Sequence, residues 1–403
     1  MSRIFFAIVL SVLCWTARLG AAPWDSLPND SCPIIPKPAF SEKHAGTFLL
    51  DNHTSLLTSD KETIGVGQYL REELLRNYNL PLPHVKTSSG PVIELVIHNG
   101  PDLEEEGYSL TIKPERIVIT APTPAGLFYG VVSLLQLAGN AQPASAGLAL
   151  SCWTIRDAPR YKWRGLMLDE SRHFFGKEAV KRILDWMAYY KLNHFHWHLT
   201  DSPGWRLEIE RYPKLTLIGG IGNHTNRWAP AKFYTQADIR EIVHYARVRN
   251  IAVIPEIDMP GHASAANRAY PEFSGGGSPS YPDFTFHPGK NSVYNYLSAI
   301  LREVAVLFPA GMIHLGGDEV HFGNQQWSSD KAVHSLMAAH QLNDLKAVEE
   351  YFIRRMADSV VRLGNRVLVW DEAADNSLSP DSTIIFWWRH DRPQQLLKAL
   401  EKG

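Results

Sequence analysis

The residues best suited to chemistry are two adjacent carboxylates, Asp318 and Glu319, in the run His-Leu-Gly-Gly-Asp-Glu-Val at 314–320. A carboxyl group beside another acid is a natural proton donor and acceptor, because the neighbouring charge alters its proton affinity. Neighbours on a regular strand point to opposite faces, so this pair serves one cleft only where the strand becomes irregular. Gly316 and Gly317 supply the required backbone freedom. An Asp-Glu pair also suits a solvated turn, and the pair by itself leaves both uses open. Further acids, Asp169, Asp201, Asp258 and Asp371, each stand at the end of an apolar run.

The elements that must carry these acids can be read from periodicity. From Trp163 onward, apolar strand-like runs occur at 163–169, 194–201, 251–259, 312–320, 366–372 and 383–388. Helical patterns lie between most of them, at 177–190, 235–249, 292–307 and 345–363. Thr235 with Asp238 predicts a capping-box start, and Gly364 a stop. Alternation of this kind predicts an α/β fold of parallel strands with crossover helices. Acids at the carboxyl ends of several strands favour a (β/α)8-type TIM barrel. A doubly wound sheet would gather its site at one switch point, usually with a Gly-rich phosphate loop, and none is present. His194, His196 and His198 alternate along one strand face, which raises a metal-dependent hydrolase as a possibility. They precede Asp201 by several residues, deeper than mouth ligands, so packed interior histidines and no metal or other cofactor are expected. Residues 33–158 predict a small α+β domain, with strands at 91–98, 108–112 and 116–120 and helices at 65–78 and 124–137. It carries no catalytic cluster and reads as structural. The barrel is expected over 159–403.

Four segments carry a resemblance to a known family. They are Trp-Arg-Gly-Leu-Met-Leu-Asp-Glu-Ser-Arg-His-Phe at 163–174, Asn-His-Phe-His-Trp-His-Leu-Thr-Asp at 193–201, Pro-Glu-Ile-Asp-Met-Pro-Gly-His at 255–262, and Gly-Gly-Asp-Glu at 316–319. Together, and in this order, they resemble the family-20 glycoside hydrolases, the β-N-acetylhexosaminidases. The resemblance implies exo-hydrolysis of terminal non-reducing N-acetylglucosamine or N-acetylgalactosamine, with the sugar's own acetamido group as nucleophile. It gives Asp318 the task of orienting that group, and Glu319 the roles of general acid and then base. Glu319 would then need a raised pKa, a direction in which Asp318 would push it. By the same resemblance, Arg164 holds ring hydroxyls and Asp201 and His262 support Glu319. Trp370 and Trp388 wall the acetamido methyl, although Trp387 leaves that alignment open by one residue. Ser202 stands where many relatives have a second Asp. The resemblance also implies two more strands, bringing a tyrosine, an acid and another tryptophan that are not identifiable here. A barrel truncated after about six strands is therefore expected, with two unpaired edges. Truncation makes a non-catalytic carbohydrate-binding remnant the alternative to an enzyme.

Composition narrows the partners. Hydrophobic residues make up 45% and charged residues 20% of the 403, and the net charge is −2. That balance gives no electrostatic reason to expect nucleic acid or an anionic membrane. Twelve Trp and fifteen Tyr suit a glycan partner, since flat aromatic faces match sugar rings, although most aromatics fill cores. Oligomeric state is not legible. Arg3, the apolar stretch 4–15 and small residues at 20–22 predict a signal peptide over 1–22 and an exported protein: secreted, periplasmic or lysosomal. Export would permit a Cys32–Cys152 disulfide, which spacing alone does not establish. Asn29, Asn52 and Asn223 begin glycosylation sequons.

Overall fold

The structure, a computed structural model, describes residues 31–58, 61–98 and 104–402. The expected signal peptide and the Asn29 sequon lie outside the described residues. Residues from 31 to 157 build one mixed sheet from β1 (Phe40–Asp51), β2 (Ser55–Thr58), β3 (His84–Val85), β4 (Val92–Ile97), β5 (Tyr108–Lys113), β6 (Arg116–Ala121), β7 (Gln142–Ala144) and β8 (Gly147–Asp157). The order across it is β1-β8-β5-β6-β4-β2-β3, with β7 paired to β8. The antiparallel β1–β8 pair was not legible, because β1 is exposed along most of its length and shifts register between His44 and Thr47. Two helices cover the sheet, α1 (Lys61–Tyr78) and α2 (Pro124–Gly139). Helix α2 is buried almost throughout, as a helix apolar on all sides must be.

The second unit is a six-stranded parallel sheet, β9 (Gly165–Asp169), β10 (His194–Thr200), β11 (Ala252–Ile257), β12 (Met312–His314), β13 (Arg366–Trp370) and β14 (Thr383–Phe386), paired in sequence order. The sheet curls, so that Phe386 on β14 packs edge-on against Trp163 just before β9, with ring centroids 5.5 Å apart. Among the described residues no strand joins β9 to β14, and Leu166 and Met167 on β9 remain exposed. The expected crossover helices are α3 (Lys177–Tyr189), α5 (Gln236–Arg247), α7 (Asn291–Leu307) and α9 (Leu345–Arg362). Short helices α4 (Lys214–Leu217), α6 (Ser264–Ala269) and α8 (Lys331–His340) decorate the loops, and α10 (Pro393–Lys402) follows β14. Thr235 and Asp238 form the expected capping box at α5.

The two units meet along a polar seam at the amino ends of the barrel strands. Gln136 Nε2 donates to the Tyr189 carbonyl, Lys191 Nζ to Tyr108 Oη at 3.1 Å, and Asn250 Nδ2 to Tyr129 Oη at 2.8 Å. Cys32 and Cys152 are both free, so the permitted disulfide is not formed. Among the described residues no helix is long and apolar enough to cross a membrane.

Candidate active site

Strand β12 is only three residues long because the chain then turns sharply. Gly316 and Gly317 take φ of +67° and +87°, and Glu319 itself takes +51°. A left-handed conformation costs a non-glycine residue about 1–2 kcal/mol, so the surrounding packing must hold Glu319 there. A Cβ at Gly316 would lie 1.9 Å from Asp258 Oδ1, so only glycine fits. The result is the irregular exit expected from the sequence. Both carboxylates converge on one imidazole: His262 Nε2 lies 3.4 Å from Asp318 Oδ2 and 3.5 Å from Glu319 Oε2.

His262 is in turn held by Asp201, whose Oδ1 lies 2.9 Å from Nδ1. Burial works against charge on His262, yet Asp258 and Asp201 outweigh it and lift the imidazole well above its ordinary value. Glu319 moves the other way from expectation. The hydrogen bond from His262, acting against partial burial, lowers its pKa, and Arg172 adds to that. The strongest charge acting on Glu319 is the imidazolium. Of the two groups, His262 holds a proton the more tightly.

Arg164 corrects a second expectation. It precedes β9 and so sits at the amino end of the barrel, far from the strand exits that carry the acids. Its guanidinium pairs with Glu106 Oε2 at 2.8 Å and donates to Tyr129 Oη and to the carbonyls of Lys191 and Tyr161. Four of its five N–H groups are thus taken at this end of the barrel. The arginine at the mouth is Arg172, eight residues later in the same segment, just beyond the carboxyl end of β9. Its Nη1 lies 2.5 Å from Asp201 Oδ2 and 3.1 Å from Asp169 Oδ2. The side chain is 36% exposed, enough to face a ligand. The sequence signal was there, since an arginine after a strand reaches its carboxyl face and one before it does not.

Asp258 was seen only as a strand-end acid, and it belongs to this cluster. It is buried, and burial followed by the nearby Asp318 raises its pKa well above the usual carboxylate range. Asp258 Oδ2 and Asp318 Oδ1 are both buried without a hydrogen-bond partner among the described residues. Trp370 ends β13 half-buried, with Nε1 donating to Glu256 Oε1 at 2.9 Å. Trp388 lies beside it, centroids 6.5 Å apart at 67°, and donates to Glu372 Oε2. Trp388 is 41% exposed and Trp387 instead contacts His390, which favours Trp388 as the second wall. Asp371 turns inward to Arg389 and takes no part in the cluster. The three histidines of β10 lie inside the barrel, as expected, with His194 stacked on Trp163 and His196 and His198 buried against Glu256.

Family models match the chain over both units: glycosyl hydrolase family 20, catalytic domain, over residues 161–403, and glycosyl hydrolase family 20, domain 2, over 31–158. The chain belongs to glycosyl hydrolase family 20. A β-hexosaminidase of Vibrio furnissii is 36% identical over 389 residues, covering 92% of this chain and 61% of that protein. The rat β-hexosaminidase subunit alpha is 34% identical over 310 residues, covering 75% of this chain and 56% of its own. Among solved structures, a family-20 exo-β-N-acetylglucosaminidase from Vibrio harveyi, in complex with N-acetylglucosamine, has a TM-score of 0.83 at 32% identity, covering 95% of this chain and 62% of that one. The chain thus spans about six-tenths of the length of these relatives.

Proposed function

We propose that this chain carries the site of a β-N-acetylhexosaminidase, removing terminal non-reducing N-acetylglucosamine or N-acetylgalactosamine with retention of configuration. The observation that supports it most is the convergence of Asp318 and Glu319 on His262 at the barrel mouth. The acetamido carbonyl oxygen attacks the anomeric carbon as the bond to the leaving oxygen breaks, giving a cyclic oxazolinium. Asp318 Oδ1, buried and unpartnered, suits the acetamido N–H that gains positive character in this step. Glu319 gives a proton to the leaving oxygen and later takes one from the water that opens the ring. Its lowered proton affinity makes His262 the store from which that proton comes. A sugar covering the mouth strips water from Glu319 and shifts the proton toward it. Arg172, with its planar fork, takes the hydroxyl-binding role first assigned to Arg164. Trp370 and Trp388 form the apolar wall for the acetamido methyl. The charged start and apolar stretch of residues 3–15 support export of the protein.

The test is hydrolysis of a nitrophenyl N-acetylglucosaminide by wild-type protein and by Glu319→Gln. Turnover by the wild type, lost in the variant with sugar binding retained, is the expected result. Binding without turnover in both proteins would replace the enzyme with a carbohydrate-binding module.

A further inference from the structure

Behind Asp201 the polar chain continues into the barrel. His198 Nε2 lies 3.0 Å from Asp201 Oδ2, and His198 Nδ1 lies 2.6 Å from Glu256 Oε2. Strand register accounts for this meeting, since His198 is paired with Glu256 across β10 and β11, and Glu256 with His314 across β11 and β12. Glu256 is fully buried. Its Oε2 also lies 2.7 Å from His196 Nε2, and its Oε1 lies 3.3 Å from His314 Nδ1 and accepts from Trp370 Nε1 at 2.9 Å. A carboxylate in a barrel interior costs several kcal/mol to desolvate unless its partners are ionised or ideally bonded. No Lys or Arg side chain pairs with it among the described residues; three imidazoles and an indole surround it.

We propose that Glu256 is a positioning residue for the reaction, one oxygen fixing the Trp370 wall and the other sustaining the charge on His198 that steadies the Asp201–His262–Glu319 relay. The inference rests on Glu319 being the acid/base group. The groups facing this unit are His196 and His198 from β10, Asp258 at the exit of β11, His314 from β12, Trp370 from β13, and Arg172 and Asp201 at the mouth end of His198. Arg172 Nη1 lies 2.9 Å from His198 Nε2, so two cations crowd around Asp201. Hydrogen bonding at that end does not require a charged His198, because a neutral ring would accept from Arg172 instead. Glu256 decides the matter from the other end. Burial opposes charge on His198, but Glu256 and then Asp201 outweigh it and hold the imidazole well above its ordinary value. His196, buried on the same strand, is pushed down to about 4 and stays neutral, with burial the larger effect. His198 and Glu256 therefore form a cation–anion pair in the interior.

The experiment is a nitrogen-15 NMR titration of the histidines in the full chain, paired with leaving-group kinetics. In wild-type protein His198 should still carry protons on both nitrogens at pH 7, above the ordinary range of a free imidazole. In Glu256→Gln its titration should fall by at least about one pH unit. A neutral His198 at pH 7 in the wild type would overturn the proposal without any variant, so it stays testable if Glu256→Gln does not fold. So would identical titrations in the two proteins. In turnover, Glu256→Gln should slow a glycoside with a poor leaving group at least about tenfold more than a dinitrophenyl glycoside, which needs little protonation. Trp370→Phe should raise KM for both substrates and leave their rate ratio alone. A Glu256→Gln that is less stable but keeps the wild-type rate ratio would make Glu256 a packing residue, against the proposal. Should the wild type bind sugar without turnover, the proposed activity fails, while the titration still decides the coupling by itself.

Discussion

Both ends of the barrel gather polar groups out of solvent, yet they are built differently. At the amino end Arg164 spends four of its N–H groups on Glu106, Tyr129 and two carbonyls, and Asn193 donates to the Lys162 carbonyl at 2.8 Å while accepting from the Arg164 amide at 2.9 Å. These contacts are local, satisfied and closed. At the carboxyl end Asp258 Oδ2 and Asp318 Oδ1 are buried with no hydrogen-bond partner among the described residues, and Glu319 holds a left-handed backbone. A buried group left unpaired costs about 1–3 kcal/mol, which a fold built only for stability would have recovered. The contrast separates charge that joins two domains from charge left open at the barrel mouth.

The largest effect expected on breaking this contrast is at Glu319. Glu319→Gln keeps shape and removes the proton, and should lower kcat by about 10²–10⁴-fold toward substrates with poor leaving groups. Steady-state rates on aryl glycosides of graded leaving-group ability check it, and a uniform small loss would remove Glu319 from proton transfer. Next come the two arginines compared directly. Arg172→Ala should cost about 10²-fold in kcat/KM through lost sugar orientation, with little change in thermal midpoint. Arg164→Ala should leave kcat/KM close to wild type and lower stability by about 2–3 kcal/mol, because Glu106 and Tyr129 lose their partner. Denaturant melts beside the kinetics decide between them. The reverse pattern would return the binding role to Arg164.

That exchange of arginines shows what was legible in the sequence and what was not. Helices α3, α5, α7 and α9 were visible because each buries one apolar stripe, and the glycines before Asp318 announced a break that the backbone angles bear out. Helix α8 escaped notice because Val333 is its one fully buried side chain, too few to make a period. Motif resemblance pointed to the segment around 163–174 but to the arginine at the barrel's amino end, since a motif carries no direction along the barrel axis. The place of Arg172 follows only once β9 is known to run from Gly165 to Asp169. The lowered proton affinity of Glu319 was not readable either. It depends on the imidazole of His262 lying against Glu319, a contact between residues 57 positions apart.

The smallest effect, and the most diagnostic thermodynamically, concerns Glu372 at the exit of β13. Burial pushes its pKa up to about 7, with Arg389 pulling the other way. Trp388 Nε1 donates to its Oε2 at 3.2 Å, and Arg389 Nη1 lies 3.3 Å from Oε1. The folded protein thus holds this proton more tightly than the unfolded chain, whose glutamates titrate near the ordinary value of about 4.3. Stability from this group is fully present below that ordinary value and is lost as pH rises through about 7. Glu372→Gln mimics the protonated form, so it should match wild type at pH 4 and be the more stable protein by pH 8. The gain is on the order of 1–2 kcal/mol after allowance for solvent screening and for the lost pairing with Arg389. Thermal midpoints of both proteins across that range measure the difference. A gap that stays constant with pH would mean Glu372 is ionised throughout, and the strained, desolvated character assigned to the carboxyl end would then stop short of β13.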